Sequence, residues 1–215
     1  MSELHSSMEQ LASRMLKQEI VKFGGPFVLK DGRKSVAYVN LREMISLPGI
    51  FDDGVRAYAD TIRHDPDIAI KPSGERRYLA GIPEAGLYYA GAVAYEIGGQ
   101  LPLLQRRVKL KSHGQPRAIE GRFAAGDEVV LLDDVITSAK AKLAEANILE
   151  QAGLKTTGVI VLVDREQGGA EELKTHNIDL VSAMTLSGIA KYALDQKKGQ
   201  ITQTIYDSFM EELDS

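Results

Sequence analysis

Apolar positions in this chain follow two periods, and the switch between them sets its organisation. Between Met8 and Phe23, the residues Leu11, Met15, Ile20 and Val21 recur at roughly helical spacing, and Gly24-Gly25-Pro26 predicts the end of that helix. Phe27-Val28-Leu29 and Ala37-Tyr38-Val39-Asn40-Leu41 flank a Lys30-Asp31-Gly32-Arg33 turn, which reads as a β-hairpin. Residues 50–62 return to the helical period.

From residue 78 onward, short apolar runs alternate with helical stretches. Strands are predicted over 78–82, 101–105, 129–132, 157–163 and 180–184, with helices over 85–97 and 139–151. A last helix, acidic, spans 201–213. This βαβ order implies an α/β fold with a mainly parallel sheet and right-handed crossovers. At 215 residues the chain fits a single domain.

The run Val129-Val130-Leu131-Leu132 carries the most information. Unbroken apolar character fits a strand buried on both faces. It leads directly into Asp133-Asp134, then Val135-Ile136, Thr137-Ser138 and a helix start. The carboxyl end of such a strand is where open α/β sheets bind ligands, and the following helix N-terminus suits a phosphate. Adjacent carboxylates there can accept hydrogen bonds from a sugar diol, although Asp133 as a helix cap and Asp134 as a solvated residue is the plainer alternative.

Composition narrows the field. A net charge of −4 argues against general nucleic-acid binding, and the absence of Cys excludes disulfides, thiolate metal sites and Cys nucleophiles. No apolar run approaches a membrane span, and Met1 to Lys17 is too polar for a signal peptide, so a cytoplasmic location is expected. Against that acidic background, the stretch between Gln105 and Asp127 concentrates Arg106, Arg107, Lys109, Lys111, His113, Arg117 and Arg122, opposed only by Glu120. A long, aperiodic, basic loop suggests an anionic ligand, with a solvated surface loop as the competing reading. Two other strand ends are candidates: the Gly81-Ile82-Pro83-Glu84-Ala85-Gly86 turn, and Asp164-Arg165-Glu166-Gln167-Gly168-Gly169. In the latter, Arg165 can hold a carboxylate bidentately or simply pair with Asp164 or Glu166.

Together these segments resemble the orotate phosphoribosyltransferases, members of the type I phosphoribosyltransferases that use 5-phosphoribosyl-1-pyrophosphate (PRPP). The likeness runs from about Leu11 to Lys198. The Asp133-Asp134 strand is similar to the PRPP signature of the whole superfamily. The hairpin from Phe27 to Arg42, the Arg106 to Gly114 loop and the Val163 to Gly169 stretch resemble segments particular to the orotate enzymes.

The resemblance implies a five-stranded, mainly parallel sheet flanked by helices in one domain. An N-terminal helix and hood hairpin would cover about 1–45, and a mobile catalytic loop about 106–122. It also implies phosphoribosyl transfer from Mg-PRPP to orotate in pyrimidine synthesis, by a homodimer whose loop crosses into the neighbouring site. Lys111, with Arg107 and His113, would act in catalysis. Asp133, Asp134, Thr137, Ser138, Ala139, Lys140 and Ala141 would bind PRPP; Lys30, Tyr38, Thr137 and Arg165 would bind orotate. Mg²⁺ would be held mainly by PRPP oxygens and water. No nucleic acid or membrane partner is expected, and the chain leaves no length for a fused decarboxylase domain.

The chain departs from the family pattern after Thr137, where glycines are usual and Ser138-Ala139-Lys140-Ala141 stands. If that backbone is left-handed, Ala139 is strained by roughly 1 kcal/mol or more; if it begins the helix, Ala costs nothing. Val108 and Ala37 are smaller departures. A non-catalytic PRPP or nucleotide sensor on the same fold, or a transferase for another base, are the alternatives.

Overall fold

The computed structural model describes residues 6–28, 32, 34–69, 77–99, 101–107, 118–198 and 201–213. Helix α1 (Ser6–Lys17) stops well before the predicted Gly24-Gly25-Pro26 terminator. Glu19 takes a left-handed φ of 56°. Its N–H donates to the Leu16 carbonyl (3.2 Å), and the Ile20 N–H to that of Met15 (2.9 Å). These are the paired bonds of a Schellman ending. Glycine normally marks that position; Glu19 does not, so the apolar spacing of Ile20 and Val21 overran the true helix end.

Those two residues instead lead into β1 (Val21–Val28), which pairs antiparallel with β2 (Lys34–Val39). Gly24-Gly25-Pro26 lies inside β1, where the register shifts between Phe23 and Phe27. The hairpin is therefore as predicted in kind, with a longer and bulged first strand. Most of its turn, including Lys30, lies outside the described residues.

A 3₁₀ turn at Leu41–Ser46 precedes α2 (Pro48–His64), which begins with proline at the position where a missing N–H is harmless. The chain continues through β3 (Tyr78–Gly81), α3 (Ala85–Glu96), β4 (Leu103–Arg106), β5 (Ile119–Glu120) and β6 (Glu128–Ile136). It then runs through α4 (Lys140–Gln151), β7 (Lys155–Asp164), α5 (Gly169–Thr175), β8 (Asp179–Thr185), α6 (Leu186–Asp195) and α7 (Gln203–Leu213).

The main sheet has the order β5-β4-β3-β6-β7-β8. Its five predicted strands are mutually parallel. The short β5 adds an antiparallel edge through Gln105↔Glu120 and Arg106↔Ile119. A pairing this brief inside the basic stretch has no periodic signal to read. Helices α5 and α6 were not anticipated either. The first is short and mostly polar, and the second follows β8 without a break, so its apolar residues read as more strand.

Both faces of the sheet are covered. Val130, Leu132, Ile160 and Leu162 pack into the core shared with α1, α2, α3, α6 and α7, while Val129, Leu131, Val159 and Val161 pack toward α4 and α5. Alternation along the central strands β6 and β7 thus buries nearly every side chain, which is the origin of their unbroken apolar runs. The crossover after β3 uses α3 on one face, and that after β6 uses α4 on the other. Adjacent strands whose crossovers leave on opposite faces open a crevice at their carboxyl ends, the general ligand site of this architecture.

That crevice is closely built. The peptide between Pro83 and Glu84 is cis, and the Ile82 N–H donates to the Leu132 carbonyl (2.9 Å). A Cβ on Gly86 would stand 2.3 Å from that same oxygen. Gly86→Ala should therefore lower stability by about 1–3 kcal/mol in urea unfolding. Gly91→Ala, in the same helix with nothing within 4 Å of the new methyl, should be neutral or stabilising by up to about 1 kcal/mol. Equal effects at the two positions would contradict this packing.

Candidate functional site at the carboxyl ends of β3, β6 and β7

Pairing with β7 continues through Asp133↔Val161, Val135↔Val163 and Ile136↔Asp164, so β6 carries its two carboxylates inside the sheet rather than beyond it. Both are buried, at 8% and 5% exposure. Each first satisfies local backbone: Asp133 Oδ1 accepts from the Asp134 N–H (3.0 Å), and Asp134 Oδ1 from the Val135 N–H (2.9 Å). From α2, the Tyr58 hydroxyl donates to the Asp133 carbonyl at 2.7 Å.

The pair is electrostatically asymmetric. Lys142 of α4, itself buried, donates from Nζ to Asp133 Oδ2 (2.7 Å) and to the Val135 carbonyl (2.5 Å). The same ammonium acts on Asp134 through its charge alone. Burial, then the charge and hydrogen bonding of Asp133, push its carboxyl up to about 6. Tyr58 and Tyr89 line its other side, and burial together with the Asp134 charge raises both phenols as well.

One turn further along α4, Glu145 forms an ion pair with Arg106 at the end of β4 (2.7 Å). The next residue, Arg107, pairs with Glu120 and donates from its backbone N–H to the Ala118 carbonyl (2.9 Å). The base of the basic loop is thereby joined across its two ends. Lys111 and His113 lie outside the described residues.

Between β6 and α4, the turn resolves the question left by the missing glycines. Ala139 has φ −75° and ψ −7°, fully buried at the helix start, and the Leu143 N–H donates to its carbonyl (2.8 Å). None of Ser138, Ala139, Lys140 and Ala141 has a positive φ. The unstrained alternative holds, and alanine costs nothing here. Thr137 is half-buried, while Ser138, Lys140 and Ala141 are exposed. The Ala139 N–H donates to Glu172 Oε2 of α5 at 2.9 Å. The turn thus presents a backbone donor to an anionic oxygen, as a phosphate-binding turn must.

At the end of β7, Asp164 is raised by burial and its Oδ1 accepts from the Glu166 N–H (2.8 Å). Glu166 holds the start of α6, accepting from the Ser187 N–H and hydroxyl (2.8 Å each). Arg165 is buried between them and bonds from its backbone to the Ile136 carbonyl (3.0 Å), which sets it beside the end of β6. Tyr38 stands apart from this group. Its ring meets Phe27 (5.7 Å) and Lys22 Nζ (5.7 Å) within the hairpin region, lining a hollow of about 260 Å³ with Gln18, Glu19 and Glu43.

Sequence reasoning missed Lys142, Glu145 and Glu172. For the first two a signal existed: Ala146 and Leu149 face the core, and helical spacing back from them reaches 142 and 145. Glu172 gave none.

Residues 49–183 match the phosphoribosyl transferase domain. The chain is 35% identical over 173 residues to orotate phosphoribosyltransferase of Pyrococcus furiosus, covering 80% of this chain and 89% of that one. It is 33% identical to bovine uridine 5′-monophosphate synthase, covering 92% of this chain and 39% of the relative. Among solved structures, UMP synthase of Leishmania donovani superposes with a TM-score of 0.78 at 28% identity, over 98% of this chain and 42% of that one. The chain thus spans about two fifths of the two synthases and most of the archaeal enzyme.

The raised Asp134 carboxyl has a consequence for stability. In the unfolded chain it titrates near 3.8, in the folded protein near 6. The folded state therefore binds the extra proton between those values, and this group's contribution to stability falls as pH rises from about 4 to 6. Asp134→Asn retains an acceptor for the Val135 N–H without the charge. It should be more stable than the parent at pH 7.5 by on the order of 2 kcal/mol, with the gain vanishing near pH 4. A gain independent of pH in chemical unfolding would refute this assignment.

Proposed function

We propose that this chain, which belongs to the orotate phosphoribosyltransferase family, transfers the phosphoribosyl group of Mg-PRPP to orotate, giving orotidine 5′-monophosphate and pyrophosphate for pyrimidine synthesis. The observation that carries the reading is the junction of β6 and α4. Two buried carboxylates are followed at once by a helically wound turn whose Ala139 N–H is already bonded to an anionic oxygen.

In this reading a ring nitrogen of orotate attacks the anomeric carbon of PRPP, and the electron pair of the breaking C–O bond leaves with pyrophosphate. Asp133 and Asp134 accept hydrogen bonds from the ribose hydroxyls. Thr137 and the N–H groups of Ser138, Ala139, Lys140 and Ala141 receive the 5′-phosphate. Arg165, with Lys30, Tyr38 and Thr137, takes the orotate side. Lys111, assisted by Arg107 and His113, stabilises charge on the departing pyrophosphate and closes the site to water. The protein otherwise contributes alignment.

Mg²⁺ fits this site as a passenger of PRPP. The Lys142 ammonium already offsets Asp133. We assign the metal to PRPP oxygens and water, where it supplies charge neutralisation at pyrophosphate. Ala139 in an ordinary helical conformation removes the main support for a non-catalytic sensor, because the altered turn is unstrained. Buried Arg165 speaks for an acidic base over a neutral purine.

We further read the chain as one domain with its hood at about 1–45 and a loop at about 106–122 that reaches a second subunit. The aromatic face of α3, with Tyr88 at 60% and Tyr95 at 87% exposure, is suited to a homodimer contact. Among the described residues no helix is long and apolar enough to cross a membrane.

Purified protein mixed with Mg-PRPP and orotate should consume orotate absorbance, with adenine, hypoxanthine and uracil unreactive. Lys111→Ala should lower turnover by about 100-fold or more while the protein stays folded, and Arg165→Gln should chiefly raise the KM for orotate. Tight PRPP binding without orotate turnover would overturn the assignment in favour of a sensor.

A further inference from the structure

Nothing in the proposed reaction calls for a buried lysine on α4, yet Lys142 is 4% exposed and its ammonium is held at 2.7 Å from Asp133 Oδ2 and 2.5 Å from the Val135 carbonyl. A lysine so placed is costly to desolvate unless its partner's geometry is fixed. Both contacts fall on β6 at the residues that bracket Asp134. A lysine reaching this strand from the first turn of α4 fastens the carboxylate pair to the same turn that is to receive the phosphate.

The network extends beyond that contact. Glu145, at the next position on the same helix face, takes Arg106, and Arg106 ends the strand that opens into the basic loop. Two ion pairs, Arg106 with Glu145 and Lys142 with Asp133, therefore lie one helical turn apart on α4, between the loop's base and the carboxylate pair. Their spacing on α4 is helical, so rotation or fraying of that helix would disturb both at once.

We propose that Lys142 is a positioning residue for PRPP: it holds Asp133 as a fixed, charge-compensated carboxylate so that the Asp133-Asp134 pair meets the ribose diol in one geometry. The proposal rests on the PRPP reading of the site but not on the identity of the base. Among the described residues the groups facing the pair are Lys142 and Glu145 from α4, Tyr58 from α2 and Tyr89 from α3, with Arg106 of β4 paired to Glu145. Among the described residues Lys142 is the cation in direct contact with the pair, and its charge opposes the burial that raises Asp134.

The test is calorimetric binding of Mg-PRPP to the full chain between pH 5 and 8, for the parent, Lys142→Met, Asp133→Asn and the double variant. Lys142→Met should weaken PRPP binding by roughly 10- to 100-fold. The acid limb of the affinity profile, near pH 6 in the parent, should move to higher pH. The double variant should bind no more weakly than Asp133→Asn alone, because Lys142 acts through that carboxylate. If Lys142→Met fails to fold, the comparison of the double variant with Asp133→Asn decides on its own, since neither leaves a buried carboxylate at position 133 without its cation. Unchanged affinity and profile in Lys142→Met, or penalties that multiply in the double variant, would overturn the proposal. A parent that binds PRPP but ignores orotate would overturn the base assignment and leave this test intact; a parent that does not bind PRPP would overturn both.

Discussion

Strand β6 is buried on both faces along its length, and its last residues take two carboxylates into that burial. Two adjacent charges with little solvent cannot both be comfortable there. The fold meets the constraint with unequal treatment: an ammonium and a backbone N–H for Asp133, a backbone N–H and aromatic walls for Asp134. The packing of α2 and α3 on one face and α4 on the other follows from the same strand. So does the position of the crevice, because the crossovers beside it leave on opposite faces.

The turn that follows shows how a departure from a family pattern can be chemically silent. Glycine is needed where the backbone is left-handed or where a methyl would collide, and Ala139 meets neither condition. Its methyl is buried and its N–H remains available to an anionic acceptor, here Glu172. Gly86, across the crevice, is the opposite case, because the Leu132 carbonyl occupies the space a methyl would need. The two turns that frame the site thus place their glycine requirement after β3 and not after β6.

The sequence was most readable where burial is complete. Parallel strands with both faces covered leave unbroken apolar runs, and such runs mark the five parallel strands, although β6 continues past its run through Asp133 and Asp134 to Ile136. It was least readable where structure rests on a single unusual residue. Glu19 ends α1 in a conformation that glycine usually signals, so the helix was extended through Ile20 and Val21. Lys142 and Glu145 look like surface residues of a polar helix, and only their spacing from Ala146 and Leu149 betrays that they face inward. The Asp164-Arg165-Glu166 segment was recognisable as chemistry, but the use of Glu166 to hold α6 depends on a neighbour twenty-one residues away.

If β6 and the turn after it form one ribose 5-phosphate cradle, as proposed, a crystal structure of the protein with ribose 5-phosphate bound will show it. The ring hydroxyls should lie within hydrogen-bond distance of Asp133 and Asp134, and a phosphate oxygen should sit on the Ala139 N–H in place of the Glu172 carboxylate. A sugar phosphate seated elsewhere, with Glu172 still on Ala139 and the carboxylate pair untouched, would contradict it.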